Sequence, residues 1–171
     1  MLQRCYDEKY QNIQPTYIGC TVCDEWLYFS KFKEWFDKNY RFNLDEIGVK
    51  LELDKDLIYK DNKIYSPDTC VFIPKKVNGF MPNNRRNNIS KYIGVSFHKV
   101  SNKWQAQIND FNTGERKYLG TFTHIEDASD AYIKARKIET LKAKKYLEEL
   151  GYGKDIIDKL EELWEERILK K

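Results

Sequence analysis

No run of apolar residues in this sequence approaches the ~18 that a membrane-spanning helix needs, so no such span is expected. The opening MLQRCYDEKY has no apolar core, and export by a signal peptide is not expected. Cysteine is limited to Cys5, Cys20, Cys23 and Cys70. Without export they are expected as reduced thiols rather than a disulfide framework. Histidine occurs twice, as His98 and His124. No long internal repeat is visible, and low complexity is confined to MPNNRRNNIS at 81–90. The most informative absence is of acid: between Asp68 and Asp110 there is no carboxylate, while Lys75, Lys76, Arg85, Arg86, Lys91, Lys99 and Lys103 fall inside.

What is present describes a folded chain. Its 171 residues are 41% hydrophobic and 15% aromatic, too aromatic for a disordered tail. The formal net charge of +3 is unevenly placed. Residues 81–120 hold seven basic and two acidic side chains, and the flanking segments are each close to neutral. A central stretch stripped of carboxylates suits a surface that faces a polyanion. A solvated basic loop is the plainer alternative.

Asn and Pro make 81–90 a linker. The expected domains are 1–80, then 91–148 beyond that linker, then a C-terminal amphipathic helix over 152–171. In the first, Asp24 is predicted to cap a helix with Trp26, Leu27, Phe32, Trp35 and Phe36 inward. Leu51, Leu53 and Ile58 suggest a strand, Asp61-Asn62-Lys63 a turn, Val71–Ile73 a second strand, and Pro74 the opening of a helix. Cys20-x-x-Cys23 has metal-ligand spacing, and Cys5 and Cys70 complete a candidate zinc set. The aromatic and apolar neighbours Tyr17, Ile18, Val22 and Trp26 equally suit buried free thiols.

In the second, Tyr92–Lys99, Lys103–Asn109 and Arg116–Thr121 read as an antiparallel three-strand meander. Thr123-x-x-Glu126 reads as a capping box. The helix after it should bury Ala128, Ala131, Tyr132, Ala135 and Ile138, ending at Gly151 and Gly153. A last helix carries Ile156, Ile157, Leu160, Leu163, Trp164 and Ile168, its apolar face expected to pack on its own protein. The fold class is therefore α+β.

The segment YIGVSFHKVSNKWQAQINDFNTGERKYLGTFTHIEDASDAYIKA resembles the Apetala-two, or ethylene-response-factor, DNA-binding domain. Tyr92, Gly94-Val95, Lys103-Trp104, Ala106, Ile108, Leu119-Gly120, Phe122, Ala128, Ala131-Tyr132 and Ala135 carry the resemblance. It implies a sheet backed by one helix, with the free sheet face in the major groove of double-stranded DNA. The family's contacts fall on Ile93, Ser96, His98, Gln107, Asn109, Arg116 and Tyr118. Alternation adds Gln105, and charge adds Lys99, Lys103, Arg85 and Arg86. Family members mostly place Arg and Trp at these contacts, whereas this chain has Ser, His, Gln, Asn and Tyr. Gln and Asn suit adenine, and Arg116 suits guanine or phosphate.

MLQRCY, PTYIGCTVCDEWLYFSKFKEW and LDKDLIYKDNKIYSPDTCVFIP, followed by Asn78, resemble phage and mobile-element proteins that join an HNH-type homing endonuclease to this domain. That resemblance implies a hairpin and helix around one divalent metal. Its positions fall on Leu53-Asp54 with Asp56 nearby, on Asn62 and on Asn78. Asp54, Asp56 and Asn78 are thus the candidate catalytic and metal residues, suited to Mg2+ or Mn2+. The family's general-base histidine has no counterpart in this half. The expected function is sequence-preferring DNA binding in the cytoplasm of a bacterial host, with or without HNH-like cleavage. The alternatives are a regulator that binds without cutting, and a phage inhibitor whose partner is a host nuclease or ribonucleoprotein.

Overall fold

The structure is a computed structural model and describes residues 1–81 and 92–169, with side chains as far as 165. Nearly all of the expected linker, with Arg85 and Arg86, lies outside the described residues, as does the Ile168 side chain. The chain divides into two compact units, Met1–Asn78 and Gly79–Lys171. It is mixed in class, helices alternating with small sheets. Among the described residues no helix is long and apolar enough to cross a membrane.

The first unit opens with α1 (Leu2–Tyr6) and α2 (Glu8–Ile13), separated by Asp7, whose Oδ1 accepts from Tyr10 N–H at 3.0 Å and caps α2. Then come β1 (Thr21–Val22), α3 (Phe29–Asn39), α4 (Phe42–Glu46), β2 (Leu51–Asp54), β3 (Ile64–Tyr65) and β4 (Val71–Pro74). Helix α5 (Lys75–Phe80) runs across the boundary between units. The expected strand–turn–strand is split: β2 pairs antiparallel with β4, whereas β3, after the turn, pairs parallel with β1.

Two local expectations fail for visible reasons. Asp24 lies inside a single 3-10 turn, Asp24–Leu27, and α3 begins only after Tyr28, so Asp24 caps nothing there. Trp26 is buried but Leu27 is half exposed. Ile58 is not in β2, because Asp54 Oδ1 accepts from Asp56 N–H (2.9 Å) and Leu57 N–H (2.7 Å) and bends the chain out of the strand.

Trp26 anchors the core, packed with Cys5, Cys20, Val22, Tyr65 and Cys70. Its ring lies 4.7 Å from Trp35, which lies 5.3 Å from Phe72. Aromatic pairs at such distances add about 0.5–1.5 kcal/mol each beyond the area they bury.

The second unit contains β5 (Val95–His98), β6 (Lys103–Asn109), β7 (Arg116–Phe122), α6 (Ile125–Glu149) and α7 (Lys154–Leu169). The three strands form one antiparallel sheet in sequence order. Val95, Ala106 and Ala128 are fully buried where α6 meets the sheet, with Trp104, Leu119, Phe122, Ile125 and Ala131 around them. Alanines at this contact let the helix lie close, as their spacing predicts.

The capping box is not formed. Strand β7 runs on to Phe122, so the cap position falls on His124 rather than Thr123 and no side chain caps it. Ile138 is exposed because the buried stripe follows steps of three and four from Ala128 through Tyr132, Arg136, Glu139 and Ala143 to Leu147. Gly151, at φ +72°, closes α6: its N–H bonds Glu148 O at 2.8 Å, and Tyr152 N–H bonds Leu147 O at 3.0 Å. Helix α7 then buries Ile157, Leu160, Leu163 and Trp164, joined to α6 by a Lys144–Glu161 ion pair.

Candidate nucleic-acid interface

One face of the three-stranded sheet lies against α6, and pleating sends alternate side chains to the other. Strand register arranges that second face in rows. His98 stands opposite Lys103, and Ser96 opposite Gln105, which stands opposite Thr121. Gln107 then stands opposite Tyr118, and Asn109 opposite Arg116. All of these residues are exposed or part-exposed. The structure thus brings Ser96, His98, Lys103, Gln105, Gln107, Asn109, Arg116 and Tyr118 onto one surface. Lys99 is exposed in the β5–β6 turn.

Thr121 was missed by simple alternation, which would place Gly120 on that face. A bulge opposite Ala106/Gln107 shifts the register, so Gly120 pairs with buried Ala106 and Thr121 turns outward. The Tyr118 hydroxyl hydrogen-bonds the Thr121 hydroxyl. Along β6, Gln107 Nε2 donates to Gln105 Oε1 at 3.4 Å. Ser101 N–H donates to His98 Nδ1 at 3.3 Å, and the Ser101 hydroxyl lies 2.9 Å from the same nitrogen.

No strand of this sheet contains an acidic residue. The two acids around it are dealt with differently. Glu115 is exposed in the β6–β7 turn, whereas Asp110 is buried and tied inward. Asp110 Oδ2 takes Lys117 Nζ and, at 2.7 Å, Lys142 Nζ; its Oδ1 takes Asn112 N–H and Thr113 N–H. These partners, Lys117 first, hold its carboxyl well below the usual range. Glu139 on α6 accepts from Phe111 N–H at 2.7 Å and from Lys142 at 2.9 Å. The turn is therefore fastened to the helix, and these carboxylates are neutralised at that attachment. Lys103 and Arg116 have no ion-pair partner among the described residues.

The first unit gathers its candidate residues differently. Asn78 Nδ2 donates to Glu52 Oε2 at 2.8 Å, and Asp56 Oδ1 accepts from Lys55 Nζ at 2.7 Å. Asp54 makes the turn described above, and burial raises its carboxyl above the ordinary value. Asn62 Nδ2 bridges the carbonyls of Lys55 (2.8 Å) and Ile64 (2.6 Å). Asp54 Oδ1, Asp56 Oδ1 and Asn78 Nδ2 thus each make a folding contact.

Cys5, Cys20 and Cys70 share one apolar core with Cys23 at its edge, all as free thiols. Burial pushes the Cys70 thiol up to about 11 and raises Cys5 also. Among the described residues no group of three or more His, Cys, Asp or Glu is placed to hold a metal ion.

A 56-residue stretch, 33% of this chain, is 39% identical to the ethylene-responsive transcription factor ERN1 of Lotus japonicus. That stretch spans 20% of the plant protein, so the chain matches about a fifth of the length of this curated relative. No family model and no solved structure matches the chain.

Proposed function

We propose that this chain binds double-stranded DNA with sequence preference, laying the helix-free face of its β5–β7 sheet in the major groove. The observation that carries the reading is the composition of that face. Amides and hydroxyls occupy its middle, Lys103 and Arg116 stand at opposite ends, and acid is absent from its strands. A groove about 12 Å wide admits such a ribbon. From Lys103 to the Asn109–Arg116 pair, β6 runs six residues, about 20 Å, so cations at the ends reach the phosphate walls while the middle meets base edges. The stretch similar to a plant transcription factor supports the same use.

Cleavage is not part of this proposal, since the N-terminal unit holds no histidine and Asp54, Asp56 and Asn78 each make a folding contact. This favours the regulator over the nuclease.

The test is titration of a labelled duplex with the full chain at two ionic strengths. Binding at low salt that weakens by orders of magnitude between 50 and 200 mM supports the reading. A chain that ignores duplex DNA at low ionic strength overturns it.

A further inference from the structure

We infer that the middle of this face selects adenine, through Gln105 and Gln107 acting as a pair on β6. The inference rests on the DNA-binding reading and adds the base that is read. A primary amide offers a donor and an acceptor side by side. In the major groove only adenine presents the matching pair, its N7 accepting and its N6 amino group donating. Guanine presents two acceptors, N7 and O6, which suit a guanidinium. The two middle rows contain no guanidinium: they are Ser96–Gln105–Thr121 and Gln107–Tyr118.

The existing contacts hold the amides ready for this. Gln107 Nε2 donates to Gln105 Oε1, which sets the two side chains in line along one strand. An amide nitrogen carries two hydrogens and an amide oxygen two lone pairs. After this bond Gln107 retains one N–H and two lone pairs, and Gln105 two N–H and one lone pair, so each can still donate to and accept from a base. Opposite Gln105, the Thr121 hydroxyl is bonded to Tyr118. The methyl is the other group of that side chain, suited to the C5-methyl of thymine. Ser96, Gln105 and Thr121 thus form one row with features for both members of an A·T pair.

Spacing sharpens the expectation. Alternate residues on an antiparallel strand stand about 6.8 Å apart. Their amides, joined by the 3.4 Å bond, lie closer together than that, and successive nucleotides of one DNA strand rise about 3.4 Å along the axis, so the bonded pair matches neighbouring bases. The preferred site is then A-A on the strand running beside β6, with a guanine or a phosphate at the Arg116 end.

Selection from a random duplex pool at low salt, without divalent metal, tests this on the full chain and on Gln105→Ala, Gln107→Ala and Gln107→Arg, each checked for an unchanged melting temperature. The wild type should enrich two adjacent adenines. Gln107→Ala should relax one of them and lose about tenfold on the selected site. Gln107→Arg should convert that adenine to guanine while duplex binding persists. Enrichment that stays the same in all four proteins, or a purely G·C site in the wild type, overturns the adenine assignment and leaves DNA binding intact. Failure to retain any duplex overturns the binding reading itself.

Discussion

Gly94 lies so close to Tyr132 that a β-carbon added there would fall 2.1 Å from both Cδ2 and Cε2 of the ring. The backbone at Gly94 is also left-handed, at φ +71°. This contact sets the sheet against α6 at the start of β5, and it explains why the strand begins at Val95 rather than Tyr92. Gly94→Ala should combine backbone strain with overpacking, roughly 2–5 kcal/mol together. Gly114 has a similar φ of +75° but nothing within 4 Å, so Gly114→Ala should cost only the backbone part, about 1–2 kcal/mol. Thermal melts of the two variants check the difference.

Two aspartates should respond to acid with opposite sign. Asp110 has a folded pKa below its unfolded value, so its stabilisation is present above pH ~4 and lost as pH falls further. Asp110→Asn should therefore lower the melting temperature at pH 7, with a deficit that shrinks below pH 4. Asp54 has a folded pKa raised by burial, so its favourable contribution is present below pH ~4 and lost as pH rises through the folded value. Asp54→Asn, which keeps the Oδ1 acceptor for Asp56 and Leu57, should be neutral or stabilising at pH 7. Asp54→Ala should be destabilising through loss of the turn. Melts between pH 3 and pH 8 separate these outcomes.

Much of the sheet and its helix could be read in advance, because alternation along β6 and the alanine steps on α6 are local periodic signals. The strands matched to within a few residues. The bulge that moves Thr121 outward was hidden, since it depends on Ala106 being buried opposite Gly120. In the first unit the pairing of β1 with β3 was also invisible: two-residue strands carry no period, and their partnership is decided by distant packing around Trp26 and Tyr65. The commitment of Asn78 to Glu52 could not be anticipated either, because nothing in the spacing sets those two residues together.

Plasmid nicking checks the first unit directly. With Mg2+ or Mn2+ the purified chain should bind supercoiled plasmid without opening it. Cleavage that disappears in an Asp54→Asn/Asp56→Asn double variant would restore the nuclease reading.

Trp164→Ala should detach α7 from α6. The Arg136 guanidinium carbon sits 3.2 Å from the centroid of the Trp164 ring and 3.3 Å from that of Phe80. Its Nη2 donates to Phe80 O at 2.6 Å. Arg136 is buried, and that burial lowers its pKa to about 9. Removing the indole should cost about 3–5 kcal/mol and expose the guanidinium, measurable by urea denaturation.

That enclosure governs how the sheet-and-helix unit can be excised for engineering. A fragment trimmed to the sheet and the part of α6 beside it would discard the rings of both Phe80 and Trp164, leaving a bare cation on a greasy flank with no lid. Fusions and reporters built from this chain should begin before Phe80 and end after Trp164, so that both lids travel with the arginine they cover.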